Sequence, residues 1–329
     1  MRTLVTGAGG MIGGAMVARL IDDGHDVRAV DKKPMRLWWQ VHPAENLMRD
    51  LLYATDADEA CRGVDWVVDL AEDMGGIGYI TGAHADCALT GATIRSNMLR
   101  AAINNSVARY SFASSACVYR QDRQNDPAAA TLTESDAWPA DPEPGYGLAK
   151  LYGEELCRYA RSDYGVATTI PRFHNIAGCP ATFEGGREKA PAAICRKVAE
   201  AKLAGFDWIE VWGDGEQTRS FCWIGDCVEG VVRLAAVDYP EPVNVGSAEM
   251  VTVNELIDAV EVCAFGEAGV LRRRYDPSKP QGVRGRSSDN TLIREVLGGW
   301  EPATPLAEWM PLLYEWVEAQ VAGRSNPVR

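Results

Sequence analysis

The chain has 329 residues, enough for one large domain with a smaller second lobe, and its 47% apolar and 24% charged residues are those of an ordinary globular protein. With 33 Lys and Arg against 46 Asp and Glu, the net charge of −13 disfavours nucleic acid and anionic membranes as partners. Nine cysteines include no CxxC pair and no Cys/His set with zinc spacing. No apolar run reaches membrane-spanning length and no signal-peptide core follows Met1, so a cytoplasmic protein with reduced thiols is expected.

The first elements form a unit. A β-type run over Thr3–Thr6 leads into Gly7, Gly10 and Gly13, then a helical stretch over Ala15–Asp23 and a strand over Asp26–Val30 that ends in Asp31. Strand, glycine turn, helix, strand and acid is the opening of a dinucleotide fold. The glycines let the backbone approach a pyrophosphate, and Asp31 is suited to adenosine ribose hydroxyls, which favours NAD over NADP. A purely structural turn and a solvated strand end are the alternatives. Asp50, Tyr146 and Lys150 join Gly7, Gly10, Gly13 and Asp31 in the expected cofactor set.

Further along, Asp65–Leu70, Arg109–Ala113 and Ala167–Arg172 read as strands. Residues from about Thr81 to Asn104 and from Gly147 to Ser162 read as helices. This alternation predicts an α/β fold, a doubly wound parallel Rossmann sheet over residues 1–172, completed by residues near 223–246. Residues 173–222 and 247–322 are assigned to a smaller C-terminal substrate-binding lobe, with helices over Val253–Cys263 and Leu306–Gln320. Residues 323–329 are read as a tail.

Tyr146 and Lys150, four apart at a helix start, share one face. An ammonium beside a phenol lets the phenolate accept a proton from a substrate hydroxyl, and Ser114 or Ser115 at the preceding strand end can orient it. A YxxxK pair alone is common on solvated helices. Here it stands behind a glycine-loop fold and a Ser-Ser strand end.

More specific segments follow: Asp73–Gly76 (DMGG), Ser114–Tyr119 (SSACVY), Glu134–Pro139 (ESDAWP), Arg172–Ile176 (RFHNI), Gly185–Ala192 (GGREKAPA), Trp212–Gly215 (WGDG), Gln217–Ser220 (QTRS) and Gly282–Arg286 (GVRGR). With these the sequence resembles the GDP-mannose 3,5-epimerase family, from the first strand to about residue 320. The resemblance implies bound NAD, a GDP-linked hexose and transient oxidation at C4 with Tyr146 as proton acceptor. Epimerisation at C3 and C5 would use Cys117 and Lys189 as the acid/base pair. Substrate positions would be Gly75, Ser115, Ala116, Asn175, Glu188, Lys189, Lys197, Gln217 and Arg219, with Arg284 or Arg286 on the diphosphate. His174 is read as structural. By analogy, the helices around 91–104 and 147–162 would form a homodimer.

The sequence departs from that family at four places. Asp69–Met74 (DLAEDM) stands for Asn-Leu-Ala-Ala-Asp-Met, so Glu72 replaces an alanine beside the cofactor and adds a negative charge expected to face its phosphates. Thr90-Gly91 replaces Asn-Asn, Ala177–Pro180 (AGCP) replaces Tyr-Gly-Pro-Phe, and Arg120–Asp122 (RQD) replaces Pro-Glu-Phe. These departures leave open a non-redox GDP-sugar isomerase, such as a pyranose–furanose mutase without NAD. In that alternative a divalent metal would sit at Glu72 and Asp73, with Asp69 as a further candidate ligand.

Overall fold

A computed structural model of the chain describes residues 1–126 and 131–324. The dinucleotide-type half contains β1 (Arg2–Thr6), α1 (Met11–Asp22), β2 (Asp26–Asp31), β3 (Glu45–Met48), α2 (Ala54–Cys61), β4 (Trp66–Asp69), α3 (Ile77–Ile80), α4 (His84–Asn104), β5 (Arg109–Phe112), β6 (Ser114–Ser115), β7 (Thr131–Leu132), α5 (Tyr146–Tyr164) and β8 (Ala167–Phe173). Then come β9 (Ile176–Ala177), α6 (Ala190–Ala204), β10 (Trp208–Trp212), β11 (Thr218–Ser220), β12 (Cys222–Trp223), α7 (Ile224–Val237) and β13 (Pro242–Val245). The chain ends with β14 (Met250–Thr252), α8 (Val253–Phe265), β15 (Arg272–Asp276), β16 (Gly285–Ser288), α9 (Thr291–Val296) and α10 (Leu306–Arg324).

The main sheet is parallel throughout, in the order β13-β8-β5-β4-β1-β2-β3, with β6 continuing alongside β8. The order reverses direction on either side of β1, so β1 and β4 flank a crevice at their carboxyl ends, where ligands of such sheets bind. β4 is buried along its length, as a central strand covered by helices on both faces requires. One core lies under α2, α4 and α5 and another under α1 and α7.

A third core belongs to the second lobe, where α6, α8 and α10 pack on one another. Local chemistry fixes the ends of α8: Thr252 and Glu255 form a reciprocal capping box, and Gly266 stops the helix in the left-handed region at φ +86°.

Several expected boundaries shift. The helix expected from Thr81 begins at His84, after the separate turn α3, and the last helix continues through Gly323 and Arg324, which had been read as tail. Residues 325–329 of that tail lie outside the described residues. The boundary at 172 is also not clean. β7, from the first segment, pairs with β16 in a four-stranded sheet ordered β14-β11-β16-β7. β3 and α2 went unseen because a short, half-exposed edge strand and an acidic helix of low hydropathy carry weak periodicity. Among the described residues, no helix is long and apolar enough to cross a membrane.

Candidate active site

A cavity of about 780 Å3 lies between the sheet's carboxyl edge and the second lobe. Tyr146 and Lys150 reach it from the first turns of α5, Ser115 and Cys117 from the end of β6, and Glu188 and Lys189 from the start of α6. Gly75, Asn175, Lys197, Gln217, Arg219 and Arg286 also line it. Ala116 does not: its methyl is buried in a core cluster with Val118, Leu132 and Leu151. Arg284 turns away, donating to Asp214 at 3.1 Å and to Gln281 Oε1 at 3.2 Å.

The acid/base candidates are buried and electrically coupled. Burial pushes the Tyr146 phenol well up, and a hydrogen bond with Ser115 works against that. Ser115 also accepts from Cys117 N at 3.2 Å, so the serine joins the tyrosine to the cysteine turn. Ser114 is otherwise engaged, hydrogen-bonded to Glu154, which pairs with Arg172 at 2.7 Å.

Burial raises the Cys117 thiol, and the Arg286 guanidinium, 3.4 Å from its sulfur, pulls it down. Lys189 is lowered by burial and held up by Cys117. A buried thiol and a half-buried amine moved toward each other in this way can both exchange protons. Gln124, fully buried, fixes Arg286 by accepting from its Nε at 2.6 Å.

The floor is basic despite the acidic chain. Arg286 is buried and Arg219 half-buried, and among the described residues neither has a carboxylate within ion-pair distance. Burial and the neighbouring Arg286 push Arg219 down to about 9. An anion between the two guanidiniums would relieve that cost. Glu188 Oε2 and Gln217 Oε1 are buried without a hydrogen-bond partner among the described residues, so the cavity also presents acceptors for a polar ligand.

The dinucleotide half is laid out along β1. A side chain at Gly13 would run into the Gly7 carbonyl, so helix and turn pack as closely as a phosphate-binding loop requires. Gly10 caps α1 with no side chain on its N–H groups. Asp31, at the end of β2, already accepts from Gly9 N at 3.0 Å and Lys33 N at 2.9 Å. The Trp38 indole lies on Gly9, where a Cβ would come within 2.6 Å of its ring. Asp50 follows β3 and is tied to α2, taking Asp56 Oδ2 on its N–H at 2.9 Å. Gly7, Gly10, Gly13, Asp31 and Asp50 are not among the residues that line the large cavity, which approaches the glycine loop only at Ile12 and Leu70. An uncapped helix N-terminus, a ribose-type carboxylate and the Tyr146–Lys150 pair at one end of the crevice fit a dinucleotide.

Glu72 does not stand unpaired before the phosphates. Its Oε2 is 2.8 Å from Lys150 Nζ and 3.6 Å from Arg95 Nη2. Asp69 pairs with Arg95, and Asp73 with Arg187 at 2.7 Å while accepting from the Tyr79 hydroxyl at 2.7 Å. Each carboxylate of the expected metal alternative is thus taken up by a cation of the protein. No group of three or more His, Cys, Asp or Glu among the described residues is arranged to hold a metal ion. Sequence reading missed Arg95, Gln124, Glu143 and Arg187. Arg187 lies inside the GGREKAPA segment without a role assigned to it there, the other three lie in no pattern that marks them, and each matters only through what the fold brings beside it.

Such a fold and site define a class. The family model described as "NAD dependent epimerase/dehydratase family" matches residues 3–246. The chain is 44% identical over 322 residues to GDP-mannose 3,5-epimerase 1 of Oryza sativa subsp. japonica, covering 98% of this chain and 82% of that protein. It is equally 44% identical to GDP-mannose 3,5-epimerase of Arabidopsis thaliana, covering 98% and 83%. In fold it is similar to UDP-glucose 4-epimerase of Thermotoga maritima, with a TM-score of 0.84 at 23% identity over 98% of this chain and 100% of that one. The chain therefore belongs to the NAD-dependent epimerase/dehydratase family and, within it, to the GDP-mannose 3,5-epimerase family.

Proposed function

We propose that the protein is an isomerase that epimerises a GDP-linked hexose, GDP-mannose first among them, at C3 and C5. The observation that carries this reading is that Cys117, from the sheet side, and Lys189, from the second lobe, line one cavity with Tyr146 and Lys150. A simple dehydrogenase needs only the last two.

Bound NAD supplies the acceptor, and later the donor, of the C4 hydride. Tyr146, hydrogen-bonded to Ser115, takes the C4 hydroxyl proton and later returns it. The 4-ketone makes the C3 and C5 protons acidic. Cys117 and Lys189 then act as a pair, one removing a proton and the other delivering one to the opposite face. Arg286 stabilises the thiolate, and Arg219 with Arg286 offers positive charge to the diphosphate. Residues 1–172 with 223–246 would serve the cofactor, and 173–222 with 247–322 the sugar nucleotide. The pairing of Glu72 with Lys150 and Arg95 removes the reason to favour a metal-dependent mutase.

The active form is proposed to be a homodimer through α4 and α5, which pack together and leave Leu89, Leu148, Tyr152 and Tyr159 exposed. Nine free cysteines support a reducing, cytoplasmic setting.

The test is turnover of GDP-mannose in deuterium oxide. The wild type is expected to give inverted products carrying deuterium at C3 and C5. Cys117→Ala should lose them by at least ~100-fold while still binding GDP. Inverted, deuterated product at the wild-type rate from that variant would sink the reading.

A further inference from the structure

The loop after β4 delivers Glu72 between α4 and α5, with its side chain 6% exposed. Its Oε2 meets Lys150 and Arg95, and its Oε1 accepts from Asp73 N at 3.2 Å. Arg95 pairs in turn with Asp69 and donates to the Ala71 carbonyl at 3.2 Å. Two carboxylates and two cations thus close on one another, and their charges cancel. Without Glu72, Arg95 keeps Asp69 and Lys150 becomes an uncompensated buried cation, which is costly.

Gly91 belongs to the same arrangement. A Cβ there would come 3.0 Å from Glu72 Oε1 and 2.9 Å from Ala149 Cβ. Two of the departures from the family pattern, the acid at 72 and the glycine at 91, therefore meet in space: a side chain at 91 would crowd both the Glu72 carboxylate and Ala149.

The arrangement acts on Lys150. An ammonium has three donors. One goes to Glu72 and one to the Ala113 carbonyl at 2.8 Å, which leaves a single donor for a ligand in the cavity. The nitrogen stands 5.6 Å from the centre of the Tyr146 ring and 5.0 Å from that of Phe112. Resting on the reading above that Tyr146 is the proton acceptor, we propose that Glu72 is a positioning residue of the oxidation step: it fixes the Lys150 ammonium with one free donor and moderates that cation's field at the Tyr146 hydroxyl.

The other charged or titratable groups facing this pair are Arg95 from α4 and Cys117 and Glu143 from the loops on either side of β7. Burial lowers Lys150, and Glu72 is the main group opposing it. Burial raises Tyr146, and Cys117 and then Glu72 add to that. Neutralising Glu72 therefore moves both groups down together. Tyr146 must lose its proton for turnover and Lys150 must keep its own, so both limbs of the pH profile move to lower pH.

Glu72→Gln keeps the shape and removes the charge. Glu72→Ala, which removes the carboxylate and its bulk, is the second variant should the first fail to fold. For each, the pH profile of GDP-mannose turnover is compared with wild type. NAD binding to protein stripped of cofactor is also titrated by calorimetry across the same pH range. The expected result is a bell-shaped profile with both limbs displaced to lower pH, and NAD affinity beginning its alkaline decline correspondingly earlier. A merely structural Glu72 would change the height of the profile and the melting temperature but leave the position of both curves; that result overturns the proposal. If the wild type fails to turn over GDP-mannose, the substrate reading fails, and the NAD titration alone then decides the role of Glu72.

Discussion

Gly76 and Glu188 touch backbone to backbone across the two lobes: a methyl at 76 would come 2.1 Å from the Glu188 carbonyl oxygen. Gly76 N donates to the neighbouring Arg187 carbonyl at 3.0 Å, and Arg187 lays its guanidinium on the Tyr79 ring, 3.7 Å from the centroid, while pairing with Asp73. The DMGG and GGREKA segments, more than 100 residues apart in sequence, are two sides of one contact. That contact sets Lys189, the next residue, over the cavity that holds Cys117.

Gly76→Ala should push these loops apart and displace Lys189. We expect kcat for inversion to fall ~100-fold, because misplacing a reacting group by about 1 Å costs that much. The melting temperature should drop by only a few degrees. Steady-state kinetics with a thermal melt checks this: a large loss of stability with normal kcat in the surviving protein would contradict it.

Tyr146→Phe and Lys189→Met should fail differently. Without the Tyr146 hydroxyl no ketone forms, so all deuterium exchange at C3 and C5 should stop. With Lys189 gone, the ketone still forms and Cys117 can remove and return a proton on its own face. Deuterium should then enter without inversion. Proton NMR of the recovered GDP-sugar separates the two outcomes.

Arg286 should govern the pH at which Cys117 works. Burial raises the thiol and Arg286 lowers it, so Arg286→Leu pushes it further up and leaves less thiolate at neutral pH. The acid limb of the exchange profile should move to higher pH, with exchange at pH 7 falling ~10-fold for each unit of displacement. Arg286→Lys keeps a cation near the sulfur and should fall between the two. Exchange measured from pH 6 to 9 is the check.

His174 should make folding stability depend on acid. It is fully buried, hydrogen-bonded through Nε2 to Asn244 Oδ1 at 2.8 Å, and burial pushes it down to about 3. Its folded value lies below its unfolded one, so between about pH 6.5 and 3 the unfolded chain binds the extra proton. Stability is therefore greatest above that window and falls by up to about 1.4 kcal/mol per pH unit within it. His174→Gln should flatten that slope, as urea melts at pH 4, 5 and 7 would report.

The sequence by itself determined the architecture and the chemistry on offer. Short β-type runs ending in glycine turns or serines named the parallel strands, and the glycine spacing with Asp31 named the dinucleotide half. Tyr146 and Lys150 lie one helical turn apart, so their shared face follows from helix geometry alone. Cys117 and Lys189 were legible only through the motifs around them, since a lone cysteine or lysine has no spacing to betray it. Tertiary structure decided the partners. Glu72 read in isolation was a charge facing phosphates. In the fold, Arg95 and Lys150 neutralise it and Gly91 gives it room, three residues that no local pattern links to position 72. The same holds for Arg284 and Arg286, two apart on one segment: the first turns to Asp214 and the second to Cys117. Local periodicity encodes which face a residue takes. The energy of a buried charge depends on what lies within a few ångströms, and that is set by contacts between segments far apart in the chain.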